Sequence, residues 1–245
     1  MIDDGCLLHE YQEEDSYTVK IKGVYDNFSW PYSANVDNNT HNYAYFIDDS
    51  PSKLYKIEAF GLVGVSTYAF VNSNLKEIST IDIPDASKLS DLSYAFFQSN
   101  FNLNIENWDM SNVTDIRGMF QDAVNFNQPL DHWDTSSMIW MGTKLPEDKH
   151  PNMEYYLSNG AFSGAKAFNQ NLEHWDTSNV ISMSHLFYNA SSFNGTLNSW
   201  NTSNVKYLYG TFSEASTFNQ PLDNWDTSNV TDMSKVFSNA KEFNQ

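Results

Sequence analysis

The side chains best placed to do chemistry are carboxylates and histidines that return at fixed intervals. Asp109, Asp134, Asp176 and Asp226 each follow a tryptophan, with Asn201 filling the equivalent place after Trp200. Two residues before each tryptophan stand Glu106, Asp131, Glu173, Asn198 and Asp223. If successive units stack, these become two columns of oxygen ligands, and calcium is the ion that such columns would take, since it accepts six to eight oxygens. Asp109, Asp134, Asp176 and Asp226 are therefore the calcium candidates. Against that, the repeat calcium motif is rich in glycine and this one is not. The same carboxylates can instead accept backbone N–H groups at a corner, and capping plus a solvated acidic face is the reading we carry forward. His132 and His174 fall at equivalent positions, but no third metal ligand recurs beside them. A nucleophile needs a base within reach and a site around both. Cys6 has His9 near it in sequence with nothing to build such a site, and no glycine-rich phosphate loop is present. The expectation is a protein that is not an enzyme and carries no cofactor.

The elements that position these groups are repeats. Trp108, Trp133, Trp175, Trp200 and Trp225 are separated by 25, 42, 25 and 25 residues, and 42 is one repeat plus a 17-residue insertion. A period in that range marks stacked units, none of which can bury its apolar face alone. Taking Val205 as origin, Leu208, Phe212, Ala215, Phe218, Leu222 and Trp225 are the apolar anchors. The first four have the spacing of one face of a short helix or 3₁₀ segment. The Asp226-Thr-Ser-Asn corner before Val230 offers side-chain oxygens where a helix N-terminus needs them. The proline-bearing Asn219-Gln-Pro-Leu-Asp-Asn-Trp225 reads as an extended arm. Asn127, Asn169, Asn194, Asn219 and Asn244 form a further column, expected as an internal ladder that satisfies backbone groups, because asparagine both donates and accepts.

Weaker copies of the unit begin at Leu62, where Val65-Ser-Thr-Tyr-Ala-Phe70 is echoed by Leu92-Ser-Tyr-Ala-Phe96. Residues 1–61 show no repeat and read as an N-terminal β-rich capping region, with strands at Tyr17–Val24 and Lys53–Phe60 and an edge strand near Tyr43. Residues 62–245 read as a repeat solenoid, leucine-rich-repeat-like, with a short strand and a short helix or 3₁₀ segment in each of about seven coils. The insertion, at about 142–160, should leave between corner and arc. The last residues, Lys241-Glu-Phe-Asn-Gln245, stop inside a repeat, so we expect this chain to be part of a longer polypeptide.

The consensus Phe-Asn-Gln-Pro-Leu-x-x-Trp-Asp-Thr-Ser-Asn-Val-Thr-Asp-Met-Ser-x-x-Phe resembles the BspA-type leucine-rich repeats of bacterial surface proteins, a variety also found in mycoplasma lipoproteins. The resemblance covers about residues 62–245. It implies a right-handed leucine-rich-repeat solenoid displayed extracellularly or on a cell surface and adhering to host proteins or other cells, with no catalytic motif to carry over. The insertion, Asn201 at a corner and the absence of an export signal depart from the pattern.

Composition narrows the partners. Thirty-one acidic residues against 13 Lys plus Arg give a formal net charge of −18. That field opposes nucleic acid and anionic membranes, and no apolar run approaches a membrane span. The expected ligand is a protein or a glycan. It would be met by residues that differ between units, Asp131, His132, Glu173 and His174, and by Trp140, Tyr155 and Tyr156 at and within the insertion. The alternative is a structural spacer or assembly subunit, of a cell-surface layer or a virion.

Overall fold

The computed structural model describes residues 83–143 and 160–245 continuously, residues 67 and 69–78, and the backbone of five strands between 17 and 65. Those strands are β1 (Tyr17–Lys20), β2 (Val24–Phe28), β3 (Tyr43–Ala44), β4 (Leu54–Ala59) and β5 (Leu62–Val65), followed by β6 (Glu77–Ile78). All their pairings are parallel, in two three-stranded sheets ordered β1-β4-β6 and β3-β2-β5. Tyr43–Ala44 is an edge strand, as the sequence suggested. The boundary expected at residue 61 is crossed by both sheets, since β2 pairs with β5 and β4 with β6. The strands before that boundary thus pair in the same parallel sense as the repeats after it.

From residue 91 onward the units pair through single parallel bridges, Asp91 to Asp115, then to Trp140, Ser182, Tyr207 and Asp232. The bridge lies two residues after the Val113, Val205 and Val230 anchors, in the segment expected to be helical. Among the described residues there is no α-helix, and the single 3₁₀ turn is Ala86–Lys88. Each arc is instead a run of tight turns. Ala95, Phe97 and Ser99 donate their N–H groups locally to Leu92, Tyr94 and Phe96 at 3.1 Å. The alternate residues Leu92, Tyr94, Phe96 and Gln98 donate to Asp115, Arg117, Met119 and Gln121 of the next unit at 2.8–2.9 Å. Every second N–H therefore ties one unit to the next.

This alternation needs a left-handed residue at every fourth position. Tyr94 and Gln98 have φ of 58° and 54°, His185 and Asn189 60° and 53°, and Gly210 and Glu214 61° and 63°. A helix cannot contain such residues at intervals. Turns of this kind put positions 0, 3, 7 and 10 on the inside just as a helix does, which is why the apolar spacing alone gave the wrong element.

Inside, equivalent side chains stack. Two phenylalanine columns run through the core, with rings 3.8–4.1 Å apart within a unit, as in Phe187 and Phe193 or Phe162 and Phe168. Between units Phe162, Phe187 and Phe212 follow at 5.6 and 5.7 Å. Trp133, Trp175, Trp200 and Trp225 stack at 6.1–6.3 Å. Their indole N–H groups donate across units, Trp175 to the carbonyl of Leu130 at 2.8 Å and Trp200 to that of Leu172 at 2.7 Å. A buried indole thus finds the partner it needs.

The insertion is spliced into the first turn of one arc. The chain leaves after Thr143 and returns at Gly160, and the turn still closes, with Ala161 N–H donating to Met141 C=O at 2.8 Å. Gly142 lies so close to the next unit that a Cβ there would sit 2.2 Å from the carbonyl oxygen of Ser184.

Candidate functional site

The carboxylates that opened the calcium question are occupied by their own corners. Asp109, Asp134, Asp176 and Asp226 each accept the N–H two residues on, at 2.9–3.0 Å, and Asn201 does the same for Ser203. The Ser136 and Ser228 bonds hold Asp134 and Asp226 below the usual carboxylate range. The motif is a side-chain turn rather than a helix cap. The rest of the corner links units: Thr177 and Thr202 hydroxyls donate to the carbonyls of Asn201 and Asp226, and Asn204 and Asn229 amides to those of Ser178 and Ser203. Among the described residues no three His, Cys, Asp or Glu side chains converge as metal ligands would.

The asparagine column is a ladder, as expected. Asn169 N–H donates to Asn127 Oδ1, Asn194 to Asn169, Asn219 to Asn194 and Asn244 to Asn219, all at 2.8–2.9 Å. It is not internal, for these residues are half-buried or exposed. Its rungs satisfy backbone where the proline-bearing arm makes no strand.

The proposed recognition residues divide. Asp131 holds His174, accepting its backbone N–H at 3.0 Å and its ring Nδ1 at 2.5 Å, and that bond raises the imidazole above its ordinary value. The same acceptor role falls to Asn198, which takes the N–H of Asn224. Asp131 and His174 are thus partly spent on the stack. His132 and Glu173 are exposed. Trp140 is half-buried on the bridge column. Tyr155 and Tyr156 lie outside the described residues.

Comparing units position by position separates two faces. At the corner the sequence hardly changes: Asp134-Thr-Ser-Ser, Asp176-Thr-Ser-Asn, Asn201-Thr-Ser-Asn, Asp226-Thr-Ser-Asn. Along the arc it varies more, although serine fills three of six places in each of two columns. Ser93, Arg117, Gly142, Ser184, Tyr209 and Ser234 occupy one column, and Phe97, Gln121, Ser163, Tyr188, Ser213 and Ser238 another. The insertion leaves from this face. Arg117 grips Asp115 through Nε and Nη2 at 2.9–3.0 Å. His185, beside Thr143 at the foot of the insertion, meets Tyr209 edge-on at 5.0 Å and Tyr188 at 5.7 Å. Lys235 Nζ stands 5.6 Å over the Tyr209 ring. Burial, with Lys235 nearby, pushes the His185 imidazole down to about 4. Sequence reading missed Arg117, His185, Tyr188, Tyr209 and Lys235. The signal was available in the column-by-column variation, but it was sought at the tryptophan arm, where the acidic residues drew attention.

A sequence family described as "Mycoplasma protein of unknown function, DUF285" matches residues 66–152 and again 157–245. The chain belongs to the DUF285 family. The two DUF285 matches meet at the insertion and together span the stacked units from Ser66 onward. This agrees with the mycoplasma-type repeat that the consensus suggested. No curated protein and no solved structure matches the chain.

Proposed function

We propose that the stacked DUF285 units are a leucine-rich-repeat-like solenoid of BspA type, and that it serves as a non-enzymatic, adhesion-type binding module at a cell surface. Its ligand is a protein or a glycan. The observation that carries this reading is the contrast between faces: a corner kept nearly constant because it holds the stack, and an arc on which Arg117, Tyr188 and Tyr209 stand at positions that serine fills in other units. A surface under only structural demands has no reason to vary in this polarised way. Aromatic residues and arginine, the side chains enriched where proteins bind, gather on that arc.

The test is adhesion of beads coated with the chain to cultured cell layers. Coated beads should bind above bare ones, and the pair Tyr188→Ala and Tyr209→Ala should lower binding while His132→Ala at the tryptophan arm should not. Beads that never bind, or binding indifferent to the arc, would leave the spacer or assembly-subunit reading, which the constancy of the corner favours.

A further inference from the structure

The contact between one unit and the next has a direction. Leu208, Gly210, Phe212 and Glu214 donate their backbone N–H groups to the carbonyls of Asp232, Ser234, Val236 and Ser238 at 2.7–2.9 Å. One unit earlier Met183, His185, Phe187 and Asn189 donate in the same way to Tyr207, Tyr209, Thr211 and Ser213. Along the arc a unit therefore offers N–H groups to its successor and receives them through carbonyls. In the final described unit Met233, Lys235, Phe237 and Asn239 hold the donor positions. Their N–H groups have no partner among the described residues. Every carbonyl from Asp232 to Ser238 already accepts, from the preceding unit or from Val236, Ser238 and Ala240 of its own.

The same face is apolar. Met233 is 50% exposed, where Leu208 at the equivalent position is 1%. Trp225, Phe237 and Phe243 are only partly buried, although their counterparts Trp200, Phe212 and Phe218 are fully covered. At the margin stand acceptors whose counterparts one unit back are filled. Leu197 C=O takes the Trp225 indole N–H at 3.1 Å, Asn219 Oδ1 the Asn244 N–H at 2.9 Å, and Lys206 C=O the Thr231 N–H at 2.8 Å. Leu222 C=O, Asn244 Oδ1 and Thr231 C=O hold those places on the open face. Its donors, acceptors and rings thus continue the interface that joins all the units before it, and they match the carbonyl side of one more. Two copies of this face do not match each other, because N–H groups would meet N–H groups and stay unpaired. A lipid or other apolar cover would leave the same four donors unsatisfied.

We infer that this face is a one-way docking surface for a second polypeptide that carries the same repeat. The incoming unit adds in parallel register with its carbonyl side first. Its arc carbonyls accept from Met233, Lys235, Phe237 and Asn239, its indole donates to Leu222 C=O, and its phenylalanines continue the columns through Phe237 and Phe243. One period cannot bury its apolar face alone, so the partner orders as it docks. This contact is separate from whatever the arc binds.

The experiment is calorimetric titration of the full chain with a synthetic peptide of residues 221–245, one complete period. The peptide should bind, and the same residues in reversed order should not, since they keep the composition and lose the register. Oxidation of Met233 by dilute peroxide, followed by mass spectrometry, should slow on docking toward the rate of Met183, which is fully buried. Met233→Asp in the chain should weaken binding by about tenfold or more, because docking would bury an unpaired carboxylate. Met233 is half-exposed, so this variant should keep its fold, and a thermal melt checks that it does. Absence of peptide binding, equal binding of the reversed peptide, or binding indifferent to Met233→Asp would each overturn the inference. Sedimentation of the chain alone supplies a further check. A dimer that Met233→Asp dissolves would mean that the face takes its own copy, and the one-way reading would fall.

Discussion

His185 gives the sharpest quantitative test of the arc. Its ring is packed among Tyr188, Tyr209 and Gly210, its Nδ1 meets Thr143 Oγ1 only at 3.5 Å, and the nearby charge, Lys235, is of the wrong sign to stabilise an imidazolium. Burial first and Lys235 second take the imidazole from its ordinary 6.5 to about 4. The native state therefore binds this proton less readily than the unfolded chain. Its stability is undiminished above 6.5, falls as pH drops below that, and has lost the whole contribution below about 4. A depression of that size corresponds to about 3 kcal/mol. The perturbation is His185→Asn, because asparagine tolerates the left-handed backbone (φ 60°) that this position requires. The assay is urea unfolding from pH 7 to pH 4. The wild type should lose about 3 kcal/mol more than the variant over that span, and the histidine C–H resonances should titrate well below pH 6. Other groups titrate in this range, such as His174, whose raised value has the opposite sign, but they are common to both chains and cancel in the difference. Parallel loss of stability in both proteins would refute the reasoning, and so would a His185 resonance titrating near 6.5.

Gly142→Ala should be among the most damaging single changes, at least ~3 kcal/mol by urea unfolding, because its Cβ would lie 2.2–2.7 Å from backbone atoms of Met183 and Ser184, which cannot turn aside. Asn169→Ala removes the acceptor for Asn194 N–H at an exposed rung and should cost ~1 kcal/mol. Asn169→Asp keeps an acceptor and should cost less, as the same unfolding curves would show. Millimolar calcium against chelator should leave the melting temperature unchanged, since each corner carboxylate already serves its own N–H. A rise of several degrees would mean that ions bridge the columns.

What could be read in advance followed from residues that recur. The tryptophan period gave the units, the phenylalanines and valines gave the core, and the asparagine column gave its ladder, because a residue repeated in every unit has a job inside the stack. Two things could not be read this way. The arc looked helical, since Val205, Leu208, Phe212 and Ala215 share one side of a helix as well as of a turn run. The distinction lay in Tyr94, His185, Glu214 and Lys235, whose positive φ is a backbone property that their identities do not announce. The candidate site was also hidden. Tyr188, His185 and Tyr209 come from two units, and only the hydrogen bonds between those units set their rings in contact. Asp131 and His174, chosen because they vary and carry charge, turned out to hold each other across the stack.

The stacking of like on like has a consequence for how such a gene can change. The underside of the unit at Phe187 offers Phe212 the contact that Phe162 offers Phe187, 5.7 Å against 5.6 Å with rings near parallel. Adjacent units are therefore interchangeable joints. Excision of residues 181–205, one full period, would set Val180 before Lys206 and bring Phe162 onto Phe212 through a contact the stack already uses. Unequal recombination could lengthen or shorten this protein by whole periods without redesigning any surface between them. Each added copy would arrive with a fresh arc, free to diverge while its corner stays fixed.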